Sequence, residues 1–227
     1  MMTIRSYIST RGIMRTFLQM IVVMGALMTT SCSEADNEEE EFPDWQNKNE
    51  EWFVNLYNTT RQKVSSGDAS WKIIKVYSKN DDVVGNPDDY IIVHVLNNGS
   101  GSGCPLITDT VRVHYRGRLI PSTSYAEGKV FDQTWTGDYN LSTMTPTKMG
   151  LGNMVDGFAT ALLNMHIGDR WEVYIPQKLG YGSTTPSGST LPVYSNLIFD
   201  LTLAAYYHPG QLVPDWKAGE AFWEPEE

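Results

Sequence analysis

The sequence predicts an α+β protein: an antiparallel β-sheet wrapped around one short α-helix, with an N-terminal helical extension. Three observations predict it. Apolar, β-rich runs recur between residues 71 and 207, with glycine-rich or polar breaks between them. One segment of helical period, 156–167, interrupts those runs, and another, 44–64, precedes them. The 227 residues include 19 Gly and 11 Pro, which suits turns and strands more than long helices. With 41% hydrophobic and 11% aromatic residues, the chain suits one globular domain of ordinary size plus appendages.

The first element is an address. Residues 1–31 read as a signal peptide, with Arg5, Arg11 and Arg15 as its positive end and Phe17 to Met28 as its apolar stretch. That stretch is short of the roughly 20 apolar residues of a permanent span. Thr29, Thr30 and Ser31 are small and Cys32 follows, which resembles the lipobox of a bacterial lipoprotein. Cys32 is then the lipidation site and the mature N-terminus. The position three residues before it holds Thr29 where Leu is usual, and an ordinary signal peptide with a fortuitous cysteine is the alternative. Residues 32–43 form the lipidated end and an acidic tether, with six acids between Glu34 and Glu41, too dense a block of like charge to fold. This points to the bacterial cell envelope, lipid-anchored on the periplasmic side of the outer membrane or on the cell surface. Removing residues 1–31 takes three arginines and no acid from a net charge of −10, leaving −13. Membrane contact beyond the lipid is not expected from such a body.

Residues 44–68 form the helical extension. Trp45, Trp52, Leu56 and Tyr57 lie near helical spacing, and Asp44 is placed to cap the start. This helix is expected to pack on the domain; docking of a partner is the alternative. Residues 69–208 form the main domain. "WKIIKVYSK" and "DDYIIVHVL" are strand-like, and the second ends in a Gly-rich turn. In "TVRVHYRGRLI", Val111, Val113 and Tyr115 alternate with Arg112, His114 and Arg116, the pattern of a half-buried strand. Phe158, Leu162 and Met165 share one face of the short helix. Trp171, Val173 and Ile175 alternate in the next strand, and "NLIFDLTLAAYY" is the last. Residues 209–227 are a tail, whose Trp216, Phe222 and Trp223 could pack back on the body.

Several function classes fall away. The acidic chain has no basic stripe for nucleic acid. Its two cysteines, Cys32 and Cys104, and its four histidines form no metal-binding spacing, so neither metal nor cofactor is expected. No GxSxG elbow supports a hydrolase. Asp132 has no identifiable carboxylate partner for glycosidase chemistry.

Four pieces stand in fixed order: "VRVHYRGRL" (111–119), "VFDQTW" (130–135), "GLGNMVDGFATALLNMHIGDRWEVYIP" (150–176) and "LGYGS" followed by "LPVYSNLIFDLTL" (179–203). Together they resemble the FKBP-type peptidyl-prolyl cis-trans isomerases over about residues 90–205. The resemblance implies an FKBP-like fold and an isomerase of X-Pro bonds that assists the folding of exported proteins. Proline-containing polypeptides are its partners, and its oligomeric state is left open. It also implies a pocket lined by Tyr115, Phe131, Asp132, Met154, Val155, Phe158, Tyr181, Leu191 and Phe199. Met154 and Leu191 would contact the substrate, while the Val155 N–H and the Tyr181 hydroxyl would bind its carbonyls. Asp132 is expected to hydrogen-bond to Tyr115 or to the substrate amide rather than exchange a proton.

Such catalysis needs neither nucleophile nor proton transfer. An X-Pro bond turns slowly because of its partial double-bond character. A site speeds the turn by preferring the twisted amide over both planar forms. The chain departs from the family pattern in three places. Phe158 stands where Trp is usual. Thr147 and Met149 replace an aromatic pair, for which Trp135 and Tyr139 are candidate substitutes. The loop 183–190 is polar. Thr147 and Met149 motivate an alternative reading, an FKBP-fold binding module or holdase with little turnover.

Overall fold

A computed structural model describes residues 40–80, 82–217 and 222. The signal peptide, Cys32, most of the acidic tether and Trp223 lie outside the described residues. Among the described residues no helix is long and apolar enough to cross a membrane.

Helix α1 (Trp45–Ser65) leads into strands β1 (Trp71–Lys75), β2 (Tyr90–Asn97), β3 (Thr110–Arg118), β4 (Val130–Gln133) and β5 (Thr147–Gly150). Helix α2 (Asp156–Leu162), β6 (Arg170–Ile175) and β7 (Leu197–Tyr207) follow. The sheet order is β1-β2-β6-β7-β3-β4, with β5 also paired to β3. All pairings are antiparallel. The last strand therefore lies inside the sheet, between β6 and β3, and only Asp200 of its eleven residues is not fully buried. Helix α2 packs on the inner face over a core that includes Ile91, Val93, Val113, Leu162, Met165, Trp171 and Leu201. It approaches β6 closely because Gly157 has no side chain: a Cβ there would stand 2.3 Å from Ile175 Cγ2. The helix is shorter than its periodic stretch, since Leu163 to Gly168 continue as turns that keep Met165 and Ile167 buried.

The outer face is covered as well, and here the alternation in β3 misleads. Arg112, His114 and Arg116 do point away from α2, yet His114 is 0% and Arg112 only 9% exposed. The segment after β4 accounts for this. Arg116 donates to the Gln133 side chain and to the carbonyls of Trp135 and Gly137, and its guanidinium lies 4.9 Å from the Trp135 ring. Tyr139 hydrogen-bonds Thr202, the β7 partner of His114, and its ring lies 3.7 Å under the Arg170 guanidinium. The tail adds cover: Arg112 donates to the Pro214 carbonyl at 2.5 Å and faces the Trp216 ring. Phe222 is exposed.

Helix α1 covers the other end of the outer face. Trp52 meets Tyr174, Tyr57 meets Tyr90, and Lys63 sits 3.7 Å over Trp71, which stacks on His94. Its buried stripe is Trp45, Asn49, Phe53 and Thr60, while Trp52, Leu56 and Tyr57 are only half-buried. Asp44 occupies the N-cap position but adopts φ 51° and caps no backbone N–H; its carboxylate accepts from Asn47 instead.

Candidate functional site

Between α2 and the open end of the sheet lies a cavity of about 270 Å³, lined by Tyr115, Phe131, Asp132, Met149, Asn153, Met154, Val155, Phe158, Tyr181 and Phe199. That is close to the lower end of the roughly 300–1,000 Å³ of drug-sized ligand sites. Each wall comes from a different element. Tyr115 is on β3, Phe131 on β4, Phe199 on β7 and Phe158 in the first turn of α2. Phe199 is the hub: its ring meets Phe158 at 4.9 Å, Phe131 at 5.6 Å and Tyr115 at 6.0 Å, each near edge-on. Tyr115 also meets Phe158 edge-on at 6.0 Å. This is the preferred aromatic geometry, and it fixes a rigid apolar cup.

The cup closes tightly at its base because Gly117 is paired across the sheet with Asp132 on one side and Phe199 on the other. A Cβ at Gly117 would lie 2.6 Å from Phe131 Cζ and 2.7 Å from Phe199 Cε1. The space an alanine methyl needs is already filled by the two pocket rings.

Polar groups sit at the rim. The Tyr115 hydroxyl donates to Asp132 Oδ2 at 2.7 Å. Burial, and then that bond to a carboxylate, push the Tyr115 phenol well above its ordinary value. Burial, with Asp132 nearby, also raises Tyr181, so both phenols stay protonated donors at neutral pH. Val155 precedes α2 in extended conformation, its carbonyl accepting from the Phe158 and Ala159 N–H groups. Among the described residues, neither the Val155 N–H nor the Tyr181 hydroxyl has a protein hydrogen-bond partner. Both are donors left over for a ligand.

Of the nine pocket residues named from the sequence, eight line this cavity. Leu191 does not. It lines an adjoining hollow of about 220 Å³ together with Phe131, Asp132, Tyr181, Pro186 and Ser189. Met149 and Asn153 also line the main cavity. Met149 occupies the aromatic position of the family pattern, and Asn153 carried no sequence signal beyond its place beside Met154. Thr147 is in β5 opposite Val113 and does not line the cavity. Trp135 and Tyr139 do not replace the missing aromatics: they lie on the outer face, the side of the sheet opposite Phe199. The pleat explains this, because Tyr139 bonds Thr202, whose side chain points away from the face that carries Phe199 and Leu201.

The site offers binding without proton chemistry. It holds no histidine, cysteine or lysine and no second carboxylate near Asp132. His114, next to Tyr115 in sequence, faces the other way, and burial pushes its imidazole down to about 4. Cys104 is remote and half-buried, and burial raises its thiol. Among the described residues no group of three or more His, Cys, Asp or Glu is placed to hold a metal ion.

Residues 103–204 match the model of the family described as FKBP-type peptidyl-prolyl cis-trans isomerase. Over 109 residues the chain is 36% identical to the FKBP-type 22 kDa peptidyl-prolyl cis-trans isomerase of Escherichia coli K12, covering 48% of this chain and 46% of that one. Over 121 residues it is 34% identical to the macrophage infectivity potentiator of Trypanosoma cruzi, covering 53% and 55%. Among solved structures it is similar to a peptidyl-prolyl cis-trans isomerase from Pseudomonas syringae pv. tomato, with TM-score 0.44 and 23% identity, over 69% of this chain and 94% of that one. The chain spans about half the length of the curated relatives it matches.

Proposed function

We infer that this chain belongs to the FKBP-type peptidyl-prolyl cis-trans isomerases and catalyses rotation about X-Pro bonds in polypeptides. The observation that carries this is the cup of four edge-to-face aromatic rings with two free donors at its rim and no acid–base pair. The family match over residues 103–204 supports the same reading. The proline ring enters the cup between Phe131, Phe158 and Phe199. The amide before it then lies against apolar walls, which disfavour the charge separation of the planar forms. The twisted amide has less charge separation and is held relatively better. The Val155 N–H and the Tyr181 hydroxyl fix the flanking carbonyls, so that rotation occurs about one bond only. Asp132 orients the Tyr115 hydroxyl and shapes the field at the rim; no proton moves.

The test is isomerisation of a proline-containing peptide by the full-length chain. A rate gain over the uncatalysed exchange is expected. Its absence with cooperatively folded protein would sink the reading. Met149 in place of an aromatic wall favours the second reading, a module that binds proline-containing segments with little turnover. Calorimetric peptide binding without rate gain would select it.

The address region extends the proposal. Cys32 after a short apolar stretch, followed by the acidic run, supports a lipid-anchored protein of the bacterial envelope acting on exported chains. Mass spectrometry of the native N-terminus decides it: an unmodified residue, or cleavage elsewhere than before Cys32, rejects the lipid anchor.

A further inference from the structure

The pocket reading makes no use of α1, yet α1 holds the loop that carries part of the pocket. Tyr181 and Leu191 belong to a loop closed at its base by the Tyr194 N–H donating to the Gly182 carbonyl at 2.6 Å. Tyr194 is there at φ 59°, a left-handed conformation that costs a non-glycine residue and persists only where surroundings enforce it. The next two residues, Ser195 and Asn196, are 3% and 1% exposed and are gripped by α1.

The grip is polar and directional. Trp45 Nε1 donates to Ser195 Oγ at 2.8 Å, and Ser195 Oγ donates to the Pro192 carbonyl at 2.6 Å. The Asn196 N–H donates to Asn49 Oδ1 at 2.7 Å, and its side-chain amide donates to the Asn49 carbonyl at 2.6 Å. Asn49, 0% exposed, spends its own amide on the Trp45 carbonyl at 2.7 Å. Asn196 Oδ1 then accepts from the Gln177 N–H at 2.9 Å, and the Gln177 carbonyl accepts from Gly182. One continuous chain of bonds thus runs from α1 to the residue after Tyr181.

Docking alone does not need this. An apolar contact would hold α1 without the cost of burying two asparagines, a serine and an indole N–H. Buried polar networks of this kind are costly unless complete, and when complete they fix one geometry. We propose that α1 is a positioning element of the site, with Asn49 and Trp45 setting the Tyr181–Leu191 rim against the aromatic cup. This rests on the isomerase reading for its effect on rate, but not for its effect on the loop.

The test uses Asn49→Ala and Trp45→Phe in the full-length chain, with exposed Gln46→Ala as control. Hydrogen exchange at the Gly182 and Tyr194 amides is expected to rise at least tenfold in both variants and to stay unchanged in the control. The value of kcat/KM is expected to fall by about tenfold, within the roughly hundredfold that a 1 Å misplacement can cost. A rate loss from general destabilisation is separated by double variants. Combined with Tyr181→Phe, the losses should not add, because the hydroxyl is already misplaced; combined with Met149→Ala on β5, which lines the cavity but not the adjoining hollow, they should add. Wild-type exchange at Gly182 and Tyr194 in folded variants, or additivity with Tyr181→Phe, overturns the proposal. If Asn49→Ala does not fold, Trp45→Phe, which keeps an aromatic ring in place, is sufficient to decide between these outcomes. A wild-type chain without isomerase activity would reject the isomerase reading, and the exchange comparison would still decide the role of α1.

Discussion

Replacing Gly117 with alanine puts one methyl group where the pocket rings meet. The new Cβ would stand 2.6 Å from Phe131 Cζ and 2.7 Å from Phe199 Cε1. Carbon atoms rest at about 3.5–4.0 Å, so one ring or both must retreat by about 1 Å. The backbone itself is no obstacle, because Gly117 lies outside the left-handed region. Phe199 is 6% exposed and wedged between Tyr115 and Phe158, whereas Phe131 is half-buried on a four-residue strand. Phe131 should therefore yield first, moving the wall against which the proposed mechanism places the proline. Overpacking of this size costs about 1–3 kcal/mol of stability, which for a domain of this length lowers Tm by roughly 2–12 °C. A wall displaced by about 1 Å should cost kcat/KM between tenfold and a hundredfold. Rate beyond tenfold therefore goes before fold. Peptide isomerisation and thermal unfolding of the same preparation measure both. Activity within twofold of wild type, in a variant that still unfolds cooperatively, would refute the view that these two rings form the working wall.

Phe131→Ala removes ring contacts with the bound peptide worth about 1–3 kcal/mol, so kcat/KM should drop roughly five- to 150-fold; an unchanged rate would place the substrate elsewhere. Tyr181→Phe should lower kcat/KM by up to about tenfold through one lost carbonyl bond, and equal rates would remove the hydroxyl from the site. Asp132→Asn keeps an acceptor for Tyr115 and should cost less than about tenfold, whereas Asp132→Ala should cost more; an Asn variant as impaired as the Ala variant would show that the carboxylate charge itself is used. His114 sits buried and neutral, with its folded-state pKa held down at about 4 against an ordinary 6.5. The unfolded chain binds the proton first, so the stability is present above pH 6.5 and lost as pH falls towards 4, on the order of 3 kcal/mol in all. Urea unfolding between pH 4.5 and 6.5 should lose much of its pH slope in His114→Gln, and an unchanged slope would assign acid sensitivity to other groups.

The sequence revealed the aromatic cup better than it revealed the sheet around it. Tyr115, Phe131, Phe158 and Phe199 were legible because four motifs keep their order across about 90 residues, and each ring has one way to face α2. The outer face was not legible from alternation. Arg112, His114 and Arg116 read as solvent-facing, but the burial of His114 depends on a segment some 20 residues later and on the tail. Trp135 and Tyr139 looked available to the pocket because they are near it in sequence; the pleat and the Tyr139–Thr202 bond send them to the other side. β4 and β5 have four residues each, too few to show a period. Asn49 in the buried stripe of α1 broke the apolar pattern, since its reason for burial, Asn196, is 147 residues away.

The inside position of β7 has a consequence for how the molecule comes into being. β1, β2 and β6 form one half of the sheet and β3, β4 and β5 the other, and among the described residues only β7 joins them. Until β7 has left the ribosome, the halves share no strand pairing and the cup lacks Phe199. Pairings that span so much chain fold slowly, on the scale of milliseconds to seconds. A chain stopped short of residue 197 would thus expose two half-sheets with open edges, the kind of species that aggregates or recruits chaperones.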